Sequence, residues 1–412
     1  MCLNDPVGHS EMPASGENSP RLDPSFIRHP RDLYHHLRAQ VPAHRVTMWD
    51  GRHAWLVTRP AEAKGALSDP RLSMNRHQLR DLLPWGSYGP RWSMVNSYML
   101  QQDSPEHARL RELVPAAFAV RSVKKFRPDM ERIADELLDD VAVAAAAGDT
   151  VDLTRSYAIL LPLRVISRLL GVPSGEFEHL RMHIEPLLVN TDAPILGAIE
   201  CALADDLLDE LIAEKRAQPQ DDLLSELVHT TDEGGRLSHD ELVSAALMLI
   251  LAGYDTSAHL IHHGVLTLLR NPSQLMKVRA DPSLLCLAVE EFLRFENPLN
   301  VATTRLTIET ACIGGVEIPP GQLVFVSLPC GIDDASRWEF GVGTRPKRSG
   351  LPARSGVHHC VGVRVARLEG EIAIGRLLTR FEQITLADRF VARSANNVTM
   401  PGLTSLPVRI SA

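Results

Sequence analysis

A mainly α-helical fold with a small β region is what this sequence predicts, on three observations. From Glu106 to about Val228 apolar residues recur at helical spacing, interrupted only at isolated Pro and Gly positions. Ser238-His-Asp-Glu241 has capping-box spacing and the next breaker is Asn271-Pro272. One helix of about thirty residues, roughly 45 Å long, is predicted between them. Strand-like patterning is confined to two stretches, His53 to Thr58 and Thr304 to Leu328, the second with turns at Gly314-Gly315 and Pro319-Pro-Gly321.

In chain order, residues 1–22 form a polar tail without a basic start or an apolar stretch, which predicts no signal peptide. A short helix is expected over Pro30 to Ala39, then the strand at His53. Met74 to Leu100 has no steady helical period and reads as an aromatic-rich loop containing Trp85, Tyr88 and Trp92. The helical body follows, with breaks near Arg127-Pro128, Gly148-Asp149, Gly171-Val-Pro173, Thr191 to Pro194 and Gln218-Pro-Gln220. After the long central helix come a helix from Pro282 to Phe295, the second β stretch, and a last long helix over Val361 to Phe381. No fixed-period repeat is present, so a solenoid is not expected.

Composition narrows the function classes. With 412 residues, 44% hydrophobic and 23% charged, the chain can bury a large core. A net charge of -8 supplies no basic field for nucleic acid or an anionic membrane. The apolar run from Glu241 to Tyr254 is shorter than the ~20 residues that span a bilayer, predicting a buried helix. Six scattered cysteines show no zinc or disulfide spacing and fit a reducing cytoplasm.

Four motifs carry chemistry. Gly356-Val-His-His-Cys-Val-Gly362 puts Cys360 in a glycine-bounded loop before a helix, where backbone N–H groups and the helix start favour a thiolate. Ala252-Gly-Tyr-Asp-Thr256 places poor helix formers in mid-helix. There Gly253 could make room for a ligand, and an acid beside an alcohol suits proton delivery. Glu291 and Arg294 share a helix face at i, i+3, a spacing that is more often a solvated ion pair. His107 and Arg111, one turn apart, could grip an anion or be ordinary surface charge.

Together and in this order, these motifs resemble the cytochrome P450 family over about Asp23 to Ile410. The resemblance implies a single domain over 23–412, a triangular helical prism with a long central helix over a haem, and a β-rich lobe. It implies a haem b whose iron is bound by Cys360, a thiolate that favours O–O cleavage. Asp255 and Thr256 would assist protonation of bound dioxygen, Ala252 and Gly253 would line the oxygen groove, and Gly362 would lie at the cofactor. His107, Arg111, Arg305 and His358 would hold the haem propionates, with Glu291 and Arg294 structural. Trp85, Tyr88 and Trp92, with the Phe177 to Leu196 segment, match the region that covers the substrate pocket.

The expected activity is monooxygenation of a lipophilic small molecule in secondary metabolism. Electrons would come from NAD(P)H through a separate ferredoxin and ferredoxin reductase. The protein is expected to be a cytoplasmic monomer that binds neither nucleic acid nor membrane. The pattern breaks once: Ala353 and Arg354 stand where the family has Phe-Gly, and Gly331 to Ser355 lacks the usual meander. This predicts a local divergence, such as a shifted reading frame, with Arg345, Lys347, Arg348 and Arg354 near the proximal face. The competing expectation is a catalytically impaired P450-like helper that binds a partner enzyme. Retention of Cys360, Asp255 and Thr256 argues against it.

Overall fold

The structure is a computed structural model and describes residues 19–22, 30–48, 51–75, 99–113, 118, 120–148, 150–189, 194–234, 237–328, 356–393, 400 and 402–411. Its first part is the small β region. Strand β1 (Arg21–Leu22), helix α1 (Pro30–Gln40), the hairpin β2 (Ala43–Met48) and β3 (His53–Val57), helix α2 (Pro60–Ala66) and β4 (Leu72–Ser73) follow one another. The sequence assigned residues 21 and 22 to the tail, and the fold corrects this. They pair parallel with Thr47 and Met48, because Leu22 has an apolar cluster to enter and is fully buried in it.

The helical body comprises α3 (Glu106–Leu113), α4 (Val120–Ala146), α5 (Leu160–Leu170), α6 (Phe177–Val189), α7 (Pro194–Ala217), α8 (Leu223–Gly234), α9 (His239–Arg270), α10 (Pro272–Ala280) and α11 (Leu285–Phe295). The short strand β5 (Val151–Asp152) sits between α4 and α5, followed by a π turn at Thr154–Ala158. The expected helix from Pro282 starts instead as a 3-10 turn capped by Asp281, whose side chain accepts from Ser283 N, and becomes α-helical at Leu285. After α11 the chain returns to β structure: β6 (Arg305–Thr307), β7 (Ala311–Ile313), β8 (Val316–Ile318) and β9 (Leu323–Val326). Helix α12 (Val363–Arg380) and strands β10 (Gln383–Leu386) and β11 (Pro407–Ser411) end the order.

The six-stranded sheet runs β1-β2-β3-β9-β6-β4, which draws chain from both ends of the sequence into one layer. Strand β3 pairs parallel with β9, so Trp55, Val57, Val324 and Val326 share a core. This sheet fixes β6, and with it Arg305.

Helix α9 is the axis of the molecule. The predicted capping box is present: Ser238 Oγ accepts from Glu241 N at 3.2 Å, and Ser238 N donates to Glu241 Oε2 at 2.7 Å. Its apolar residues go nearly all the way round, which marks an enclosed helix. It packs against α5, α7, α11 and α12. Of the described helices it alone has the length and hydropathy to cross a membrane, and 67% of that window is buried inside the protein. Leu137, Leu260, Phe292 and Ile374 tie α4, α9, α11 and α12 together, while Leu163, Leu208, Leu224 and Leu247 do the same for α5, α7, α8 and α9.

Candidate active site

The cysteine loop is built by its glycines and by the start of α12. Gly356 has φ +79°, and a Cβ there would lie 2.3 Å from the Leu67 carbonyl oxygen. Only glycine meets both demands. His359 N donates to Gly356 O at 3.3 Å, closing the turn that presents Cys360. Gly362 caps α12, and the Gly362 and Val363 amides donate to the cysteine sulfur. Burial pushes the Cys360 thiol up, while these amides and the cations of Arg111 and Arg367 pull it down. The residue is nonetheless solvent-accessible by area. The two facts agree if the sulfur sits in a recess, crowded at its sides and open in front.

Beside this recess four nitrogen side chains converge from distant parts of the chain. His107 on α3 and His358 in the cysteine loop have ring centroids 3.9 Å apart, and both are withdrawn from solvent. His107 Nε2 and His358 Nδ1 are buried without a hydrogen-bond partner. Burial, the neighbouring His107, Arg305 and Arg111 push His358 down to about 3, so it is neutral at physiological pH. Arg305 is 3% exposed, donates to Thr303 O at 2.7 Å, and is pulled down to about 10 by desolvation. Arg111 donates to His359 O at 2.6 Å and is likewise lowered by burial, with the Cys360 charge acting the other way. Asp103 is near enough to favour charge on His107 and Arg305, but its carboxylate is already engaged by Ser73 Oγ and by Met74 N at 2.9 Å.

On α9, Thr256 Oγ1 donates to Ala252 O at 2.9 Å, the turn-back bond expected of a mid-helix threonine. Ala252 is exposed within a helix that is otherwise largely enclosed. A Cβ on Gly253 would approach Ile166 Cγ1 of α5 at 3.2 Å, so the bare glycine also lets these two helices pack closely. Asp255 is partly exposed and lies 3.4 Å from His259 Nε2.

Glu291 and Arg294 form a partly buried pair with Arg294 Nε donating to Glu291 Oε2 at 2.7 Å, in place of the solvated pair that spacing alone favours. Trp85, Tyr88 and Trp92 lie outside the described residues, as does the Gly331 to Ser355 stretch with Arg345, Lys347, Arg348, Ala353 and Arg354. The segment proposed as the remaining cover is helical as α6 and the first turn of α7.

Sequence reading missed two groups. Glu369 on α12 is 2% exposed with Oε2 unpartnered, bonds Ser257 of α9, and is pushed by burial up to about 8, so it is largely protonated at neutral pH. A carboxylate inside an apolar helical stretch was the available signal. His259 is the other, and its i, i+4 spacing from Asp255 was legible.

The donor set fits a haem. A recessed cysteine with amide and cationic support suits a soft thiolate ligand to iron. Two unpartnered imidazole nitrogens and two desolvated guanidinium groups suit two carboxylates, since buried donors without acceptors are otherwise costly.

Comparison with known proteins agrees. The cytochrome P450 family model matches residues 178–408. Cytochrome P450 107B1 of Saccharopolyspora erythraea is 38% identical, over 95% of this chain and 97% of that protein. Cytochrome P450 monooxygenase PikC of Streptomyces venezuelae is 37% identical over 94% and 92%. Among solved structures, the tirandamycin C-bound P450 monooxygenase TamI superposes with a TM-score of 0.83 at 36% identity, covering 95% of this chain and 100% of that one.

Proposed function

This chain belongs to the cytochrome P450 family and is a haem-iron monooxygenase, and on that premise we propose the roles of its residues, its substrate class and its electron source. The net reaction inserts one atom of O2 into a C–H or C=C bond and releases the other as water, consuming two electrons and two protons. Activation of O2 is the chemistry the haem supplies when bound.

Cys360 would be the iron ligand; burial disfavours its thiolate, and the Gly362 and Val363 amides with the Arg111 and Arg367 cations offset part of that cost. His107, Arg111, Arg305 and His358 would hold the propionates, which would supply acceptors for the two buried imidazole nitrogens that lack them. Thr256 offers its hydroxyl beside the exposed Ala252, held there by its bond to the Ala252 carbonyl. Asp255 brings protons from its partly exposed side, and Glu369, neutral and bonded to Ser257, keeps a proton one residue away. Glu291 and Arg294 brace α11.

The substrate is a lipophilic secondary metabolite, and polyketide-derived compounds are favoured. A relative named 6-deoxyerythronolide B hydroxylase is 39% identical over 92% of this chain. Electrons come from NAD(P)H through a ferredoxin and its reductase, and the protein acts as a cytoplasmic monomer of one domain that takes in the strand at residues 21 and 22. The unpartnered pair His107 and His358 beside Cys360 is the observation that carries the haem reading. The purified protein should be coloured, and macrolides, other polyketides, terpenoids and peptides should be screened for a substrate-induced spin-state shift. Conversion of a shifting compound to a product one oxygen atom heavier, with ferredoxin and reductase present, supports the assignment. A shift without any oxygenated product contradicts it.

A further inference from the structure

Asp103 stands just before α3 and has no part in the reaction as described so far. Its main-chain carbonyl accepts from His107 N at 2.9 Å, which ties it into the first turn of that helix. Its half-buried side chain reaches a different element. Oδ1 accepts from Met74 N at 2.9 Å, and Oδ2 accepts from Ser73 Oγ. Ser73 is 1% exposed on β4, and its hydroxyl oxygen accepts from Asn75 N at 3.0 Å, leaving its proton for the carboxylate. Both side-chain oxygens go to the β4 segment rather than to α3 amides. The carboxylate is therefore a strap between two elements and not a helix cap.

The strap joins the segments that carry half of the nitrogen cluster. Ser73 pairs with Leu306 of β6, the residue next to Arg305, while α3 carries His107. Helix α3 has eight residues, too few to hold its direction without outside anchors. We propose that Asp103 is a positioning residue for the cofactor: by strapping the start of α3 to β4 it fixes where His107 and Arg305 converge on the haem propionates. The inference rests on the haem reading given above.

A carboxylate with free oxygens beside an anion site would repel the ligand. Both oxygens of Asp103 are occupied by an amide and a hydroxyl, whose dipoles offset its charge. What remains of that charge favours the grip. Burial lowers Arg305 and, with Arg111 beside it, His107, and the Asp103 carboxylate opposes the lowering at both.

The test times the transfer of haem from the loaded protein to apomyoglobin, a readout independent of turnover. Asp103→Asn keeps the size of the side chain but offers one acceptor oxygen in place of two. Ser73→Ala removes the other half of the strap and leaves the Asp103 charge in place. Each should release haem faster than wild type by about threefold or more, a part of what a direct charge-assisted bond supplies. The double variant should be no faster than the faster single one, because both changes break the same strap. Loading with haem dimethyl ester, which has no free carboxylates, should remove the difference between Asp103→Asn and wild type. Release from both single variants at the wild-type rate overturns the strap, as do additive effects in the double variant or an undiminished difference with the ester. Slower release from Asp103→Asn would mean that the carboxylate only repels the propionates, and overturns it too. Each of these outcomes leaves the haem reading standing, whereas a wild-type protein that takes up no haem would remove both.

Discussion

Single side chains in this site are held in states that water would not give them, and each such state is open to measurement. Glu369 is raised from its ordinary value to about 8 by burial. Its folded-state value lies above its unfolded one, so its favourable contribution is complete below about pH 4.5 and is lost as pH rises toward 8. Glu369→Gln, which mimics the neutral acid, should therefore melt close to wild type at pH 5 and higher than wild type at pH 8.5, a gain on the order of a few kcal/mol. Thermal melts of the two proteins at the two pH values check this. Arg305→Gln removes a desolvated cation from the propionate side, and haem retention measured by transfer to apomyoglobin should be faster by about tenfold or more, in line with charge-assisted bonds. Thr256→Ala should keep the haem spectrum and send more of the reducing equivalents to hydrogen peroxide; coupling equal to wild type would remove that role from Thr256. Asp255 and Thr256 stood out in the sequence as poor helix formers in mid-helix, and Cys360 by its glycine-bounded loop before a helix. Glu369 was passed over because its Ser257 partner lies on a different helix.

Helices α9 and α12 give these residues their places, and their ends were the most readable features of the chain. The α9 start was legible in Ser238 and Glu241 and its end in Asn271-Pro272, since caps and prolines act locally. Ser238→Ala should cost about 1 kcal/mol in denaturant unfolding. Gly253 also packs on Ile166, which was not legible because Ile166 lies on another element. Replacing it by alanine sets about 1 kcal/mol of helix propensity against about 1–3 kcal/mol of crowding on Ile166. Gly253→Ala should thus be neutral to mildly destabilising alone and stabilising in an Ile166→Val background. A double-mutant cycle showing no coupling between 253 and 166 would contradict that packing. The 3-10 turn before α11 was not legible, because a Pro-led first turn looks the same in both helix types.

At the scale of the whole molecule, the pocket is an assembly of segments that are far apart in sequence. His107 comes from α3, Arg305 from a strand fixed in a sheet that also contains residues 21 and 22, and His358 from the loop before α12. Periodicity gave the helical class, but it carries no information on which segments meet; only the family resemblance brought these three together. Because haem binds only the folded chain, loading it should raise the melting temperature, and more so as free haem exceeds its dissociation constant. The most direct measurement is the difference spectrum of the reduced, carbon-monoxide-treated holoprotein beside that of Cys360→Ala, both supplied with excess haem. Wild type should show a band at about 450 nm, the signature of thiolate ligation, and the variant should lack it. A wild-type protein that takes up no haem, or a Cys360→Ala protein with the same band, would contradict the assignment of this recess as the iron site.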